Sequence, residues 1–133
     1  MSAEKTIRQD RIRLLLVDDE TAYVNVLANR LTKRNIDVTK AYSGSEAIQA
    51  LRNQDFDVAV LDLKMEDMDG LEVLKIFKKL DPSMAVIMLT GHGSERAAKE
   101  GITSGAFDYL TKPCELEELL AKIKDAYLAR KPV

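Results

Sequence analysis

The chain has 133 residues, 46% of them apolar and 32% charged, with 20 basic and 22 acidic side chains and a formal net charge of −2. This length and balance suit one soluble domain with its own core, and they argue against a disordered chain, a two-domain chain or a globally basic nucleic-acid binder. The lone Cys114 excludes an internal disulfide, no apolar run approaches the roughly 20 residues of a membrane span, and the start MSAEKTIRQDR lacks the apolar core of a secretion signal. The cytoplasm is the expected compartment, with no membrane contact.

After a polar leader, IRLLLV (Ile12 to Val17) is a near-continuous apolar run, the pattern of a strand covered on both faces. It stops at the acidic triplet Asp18, Asp19 and Glu20. TAYVNVLANRLTKRN then places Val24, Leu27 and Leu31 on one helical face, with Lys33 and Arg34 expected in the closing turn. DVTKAY (Asp37 to Tyr42) reads as an edge strand. SGSEAIQALRNQ predicts a second helix, capped by Ser43 or Ser45, with Ala47, Ile48 and Leu51 facing inward. FDVAVLDL repeats the opening pattern, its apolar run Val58 to Leu61 ending in Asp62. The loop KMEDMDG leads into the amphipathic LEVLKIFKKL, closed near Asp81-Pro82. AVIMLT (Ala85 to Thr90) is a further buried strand, GHGSERAAKEGITSG carries a turn and a glycine-weakened helix, and AFDYLT is a short strand ending near Thr111. ELEELLAKIKDAYLAR closes the chain, with Leu116, Leu119, Leu120, Ile123 and Tyr127 on its inner face. Apolar strands separated by single amphipathic helices predict an α/β fold, a five-stranded parallel sheet with five helices on its two faces.

In such a sheet, groups at the carboxyl ends of the strands share one crevice. Here those groups are Asp18 and Asp19 after the first strand, Asp62 after the third, Thr90 after the fourth and Lys112 after the fifth. Three carboxylates repel one another, so an unoccupied cluster retains a proton, whereas a hard divalent cation removes the conflict. Mg2+ suits one or two carboxylates with waters and a phosphate oxygen better than Ca2+ does, since EDMDG lacks the spacing of a calcium loop. A hydroxyl and an ammonium can then hold a phosphoryl group that a carboxylate attacks, which describes an aspartyl-phosphate site. There is no GxxxxGK loop for ATP.

VDDE (17–20), LDLKMEDMDGLEVL (61–74), MLTGHG (88–93) and GAFDYLTKP (105–113) together resemble the receiver domain of two-component response regulators. The likeness runs from about Arg13 to Arg130, and four motifs stand in the family's order and spacing. It implies a flavodoxin-like, doubly wound sheet of order 2-1-3-4-5. It also implies a leader at 1–11, a receiver domain at 12–130 and a tail at 131–133. By the same resemblance Asp62 is the phosphoacceptor, with histidine kinases or histidine phosphotransfer proteins as donors. Asp19 binds Mg2+ directly, with Mn2+ able to substitute, Asp18 holds it through water, and the Lys64 carbonyl contributes. Thr90 is the switch hydroxyl, Lys112 the phosphoryl-pairing lysine in a cis Lys112-Pro113 bond, and Tyr109 the aromatic switch on the face of helix four, strand five and helix five. Lys64 and His92 line the approach to the acyl phosphate, where they could tune its lifetime. Glu66 departs from the proline common in the family, a change expected to alter loop stiffness rather than chemistry.

The implied function is a phosphorylation-dependent switch that also dephosphorylates itself and is no multiple-turnover metabolic enzyme. Its output would pass to a separate target or a fused domain, without direct nucleic-acid contact. Two alternatives stand beside it. One is a receiver-fold interaction module that signals without phosphorylation; the other is a Mg2+-dependent phosphohydrolase, for which KMEDMDG supplies no evident cap. Cys114 reads as quiet packing, and Arg8, Arg11 and Arg13 are too few to indicate nucleic acid.

Overall fold

A computed structural model describes residues 11–91 and 95–130. The strands are β1 (Ile12–Val17), β2 (Ile36–Ala41), β3 (Val58–Asp62), β4 (Ala85–Thr90) and β5 (Asp108–Thr111). They alternate with α1 (Thr21–Thr32), α2 (Gly44–Asn53), α3 (Gly70–Leu80), α4 (Glu95–Thr103) and α5 (Leu116–Ala129). The strands pair in parallel in the order β2-β1-β3-β4-β5, the doubly wound arrangement implied by the resemblance. Strand order reverses where β1 lies between β2 and β3, so the carboxyl ends of β1 and β3 border one crevice. Of the expected leader only Arg11 is described, and the tail at 131–133 lies outside the described residues.

Alternation along each central strand divides the core in two. Leu14, Leu16, Val58, Val60, Ile87 and Leu89 pack with α1 and α5. Leu15, Val17, Ala59, Leu61, Val86 and Met88 pack on the opposite face with α2, α3 and α4. Both faces of β1, β3 and β4 are covered, which is why these segments read as unbroken apolar runs. Edge strands β2 and β5 are less buried, and their sequences are correspondingly mixed.

Several boundaries differ from the sequence reading. β2 begins at Ile36, which is buried, because Asn35 takes a left-handed turn (φ 68°) directly after α1. α1 ends at Thr32, so Arg30 is the base in its last turn; Lys33 is the cap residue, and Arg34 lies beyond the helix and pairs with Glu117 at 2.7 Å. Ser43 caps α2 by accepting from the Glu46 N–H, whereas Ser45 serves a different contact described below. On α5, Leu116 and Tyr127 are half-buried and Ala126 occupies a fully buried position. Cys114 packs against the α1–α5 core, and burial pushes its thiol up.

Asp57, just before the central strand β3, is buried at the amino ends of the strands, opposite the crevice. Its carboxylate accepts from the Arg13 backbone N–H at 2.9 Å, and its Oδ1 pairs with Arg13 at 3.1 Å and with Arg130 at 3.0 Å. Burial alone pushes this carboxyl up, but the Arg13 hydrogen bonds and both guanidinium charges outweigh it and hold it below the ordinary range. Arg13, which the sequence offers only as a member of a short basic set, is therefore half of a structural ion pair.

Candidate functional site

The carboxylates gather where the parallel strands end. Asp18 continues the line of β1, its N–H donating to the Ala41 carbonyl at 3.2 Å, and its side chain is almost fully enclosed at 1% exposure. Asp62 closes β3 at 6% exposure and Thr90 closes β4 at 3%. One oxygen from each of Asp18, Asp19 and Asp62 lies within 4.8 Å of the others. Lys112 reaches the cluster from beyond β5: its Nζ lies 2.6 Å from Asp18 Oδ2, 3.2 Å from Glu20 Oε1 and 3.8 Å from Asp62 Oδ2. The Lys112 backbone N–H donates to the Thr90 carbonyl at 2.7 Å, which ties the base of that side chain to β4. The Lys112-Pro113 peptide is cis.

Three carboxylates thus face one ammonium. Burial first, and Asp18 next, push Asp62 up to about 6, against the pull of Lys112 and the Lys64 N–H. Burial disfavours the Lys112 ammonium, yet Asp18, Asp62 and Glu20 together raise it above its usual value. Burial accounts for most of the Asp62 elevation and repulsion by Asp18 and Asp19 adds to it, and the three clustered carboxylates carry more negative charge than one ammonium balances. That excess, on hard oxygen donors within mutual reach, fits a hard divalent cation. The cluster resembles the metal-binding sites of receiver domains.

The β3–α3 loop is held from several sides. The Lys64 N–H donates to Asp62 Oδ1 at 3.4 Å, and the Glu66 N–H donates to Asp19 Oδ2 at 3.0 Å. Asp67 accepts from the N–H groups of Gly44 and Ser45 at 3.0 and 3.1 Å and from the Ser45 hydroxyl, which binds the loop to the start of α2. These bonds, Gly44's foremost, hold the Asp67 carboxyl low. Asp69 caps α3 by accepting from Leu71 N–H at 2.9 Å. Gly70 then returns to Leu63, its N–H donating to the Leu63 carbonyl at 3.1 Å.

The structure therefore brings Asp18, Asp19, Asp62, Thr90 and Lys112 to one crevice. The Thr90 hydroxyl donates to the Gly91 carbonyl at 3.0 Å. The Lys64 side chain is exposed at its rim, and Tyr109 is half-buried against the α2–α3–α4 side of the core. His92 lies outside the described residues. A cavity of about 520 Å³ opens beside the cluster, lined by Asp19, Lys64, Met65, Glu66, Leu71 and Ala97 among others. In the sequence Glu20 is no more than the third member of the acidic triplet. Glu20 stands at the N-cap position, but its side chain makes no cap bond and instead engages Lys112. The Tyr23 ring, which no sequence pattern marks, lies 4.7 Å from the Lys112 ammonium. Nothing in the local spacing of Glu20 and Tyr23 pairs either with Lys112, which lies 92 residues beyond Glu20.

The match to known proteins is specific. The family model for the response regulator receiver domain matches residues 14–124. The transcriptional regulatory protein GlrR of Escherichia coli K12 is 39% identical over 113 residues, covering 85% of this chain and 26% of that protein. TrcR of Mycobacterium tuberculosis is 42% identical over 113 residues, 85% of this chain and 44% of its own length. The chain thus spans less than half of either relative. Among solved structures, a CheY-like receiver domain from Methanospirillum hungatei JF-1 superposes with a TM-score of 0.85 at 34% identity, covering 89% of this chain and 94% of that one. The Francisella response regulator 1452 receiver domain gives 0.82 at 32% identity, covering 89% and 98%. Among the described residues no helix is long and apolar enough to cross a membrane. With a receiver fold and an acidic cluster typical of phospho-aspartate, magnesium-binding sites, the chain belongs to the response regulator receiver domain family.

Proposed function

We propose that Asp62 is the residue that accepts a phosphoryl group, from a phosphohistidine on a kinase or phosphotransfer protein. The observation that carries this reading is the placement of the Lys112 ammonium 3.8 Å from Asp62 beside three carboxylates, with the buried Thr90 at the end of the neighbouring strand. An Asp62 oxygen attacks phosphorus, the P–N bond to the donor imidazole breaks, and its electron pair stays on the nitrogen, which takes up a proton. Lys112 balances charge on the transferred group, and the Thr90 hydroxyl turns from the Gly91 carbonyl to a phosphoryl oxygen. Asp19 and Asp62, with Asp18 and the Lys64 carbonyl, would hold Mg2+ or Mn2+, which when bound neutralises carboxylate and phosphoryl charge. Water later attacks the acyl phosphate and releases inorganic phosphate. Such a receiver phosphorylates and dephosphorylates itself and is no classical multiple-turnover enzyme. Tyr109, half-buried on β5, would follow Thr90 inward and shift the α4–β5–α5 face toward a form that a downstream protein or output domain recognises.

The test is incubation with phosphoramidate or acetyl phosphate and Mg2+, followed by intact mass measurement. A gain of roughly 80 Da, one phosphoryl group, is expected in the wild type and none in Asp62→Ala. A folded wild type that gains no mass under these conditions would overturn the reading.

Glu66 supplies a separate prediction. A proline at its position has no N–H and could not make the bond to Asp19 Oδ2, so beside loop stiffness this departure bears on how Asp19 is oriented. A carboxylate has lone pairs for both an N–H and a cation, so this bond orients Asp19 without competing for the ligand position. Glu66→Pro is expected to weaken Mg2+ binding roughly threefold relative to Glu66→Ala, which keeps the N–H. Titration calorimetry on both variants separates the lost N–H from the lost side-chain charge.

A further inference from the structure

The Lys112 ammonium has a neighbour that takes no part in the phosphoryl chemistry. Its Nζ lies 4.7 Å from the centroid of the Tyr23 ring, within the range where a cation is drawn to an aromatic face. Tyr23 stands in the first turn of α1, directly after the acidic triplet. The ring is anchored: it packs against the α1–α5 core and shares a groove with Leu27, Cys114 and Leu119. Burial above all pushes its phenol up to about 12, so the ring stays neutral at physiological pH.

The other contacts do not make the ring redundant. Glu20 is 66% exposed, so water and salt screen its attraction for the ammonium. Asp18 pulls from 2.6 Å, yet it belongs to the cluster whose charge a cation would claim. Lysine ends in a point charge on a flexible four-carbon stem, and nothing in its own geometry fixes where that charge sits. A side chain only 17% exposed, facing an aromatic ring, is where such a contact weighs most.

We propose that Tyr23 is a positioning residue for Lys112: its ring face holds the ammonium at the carboxylate cluster, so that the charge meeting the phosphoryl group is in place before the donor arrives. This rests on the reading that Lys112 acts on a phosphoryl group carried by Asp62. Tyr23 touches neither phosphorus nor the attacking oxygen; it acts through Lys112.

Two measurements on Tyr23→Phe, Tyr23→Leu and Tyr23→Met test the proposal. In the metal-free protein, carbon–proton spectra should show the Lys112 Cε protons displaced upfield by the ring current in wild type and Tyr23→Phe. The displacement should vanish in both non-aromatic variants, of which the better folded by thermal unfolding is carried forward. With phosphoramidate at fixed, saturating Mg2+, the rate constant for adduct formation should fall roughly two- to fivefold without the ring and be retained in Tyr23→Phe. Mg2+ affinity should change less than the rate. An upfield shift that survives loss of the ring, an unchanged rate, or Tyr23→Phe behaving like Tyr23→Leu would each overturn the proposal. A wild type that forms no adduct would instead remove the Asp62 reading on which it rests, and the metal-free spectra would still show whether the ring holds the ammonium.

Discussion

Replacing Asp62 by asparagine is expected to abolish the phosphoryl adduct and, in the same protein, to raise the stability of the metal-free fold at pH 7. The two effects share one cause. Burial and the neighbouring Asp18 lift Asp62 from 3.8 to about 6 in the folded protein. Between those values the native state holds a proton that the unfolded chain has released, so unfolding free energy falls as pH rises through this window. Above it the full cost of an ionised, crowded Asp62 is present. A shift of this size is worth about 3 kcal/mol at most, and water in the open crevice reduces it to ~1–2 kcal/mol. Urea unfolding at pH 7 without divalent cation should show that gain for Asp62→Asn. At pH 3.5, where the carboxyl is protonated in the folded protein and mostly so in the unfolded chain, the gain should largely disappear. Mg2+ should stabilise the wild type more than the variant, because only the wild type has a third charged carboxylate to relieve. Equal stability of the two proteins across the pH range would show that ionised Asp62 carries no such cost in the fold.

Gly70→Ala should cost about 2–4 kcal/mol, well above the effect of an ordinary glycine-to-alanine change at a helix start. A Cβ at this position would lie 2.5 Å from Leu63 Cα, 2.7 Å from the Leu63 carbonyl oxygen and 2.9 Å from the Asp62 carbonyl oxygen. All three are backbone atoms, so relief requires moving the chain that carries the acceptor. Denaturant unfolding measures the cost. Mg2+ affinity should fall with it, since the displaced loop also brings the Glu66 N–H to Asp19. A loss under 1 kcal/mol would mean that the loop shifts at little cost and that the close return to Leu63 does not define the site.

Much of this molecule was legible from spacing alone. Strands β1, β3 and β4 are covered on both faces, so their apolar runs had one interpretation, and the acids ending β1 and β3 had to share a crevice once the sheet was parallel. Patterning was silent wherever the decisive partner is a backbone group or lies far along the chain. Ser43 and Ser45 are equivalent as sequence, and only the approach of Asp67 to Ser45 distinguishes them. Glu66 reads as a side chain, yet its contribution is an N–H that any residue except proline carries. The Tyr23–Lys112 contact joins elements at opposite ends of the sequence, so no local periodicity announces it. β2 begins one residue before the patterned run because Asn35, in the turn after α1, takes a backbone conformation that composition only hints at.

The Asp57 clasp bears on how the whole chain comes together. Arg13 enters from the first strand and Arg130 follows the last helix, and both meet one enclosed carboxylate. A chain that had assembled its sheet but not docked its final helix would bury that carboxylate with one guanidinium instead of two, and partly formed states would carry the penalty of an underpaired charge. The clasp therefore adds to the coupling between the first strand and the segment after α5, at the ends of the strands opposite the acidic cluster. The rim opposite the crevice is thus clamped by the two guanidiniums that meet Asp57.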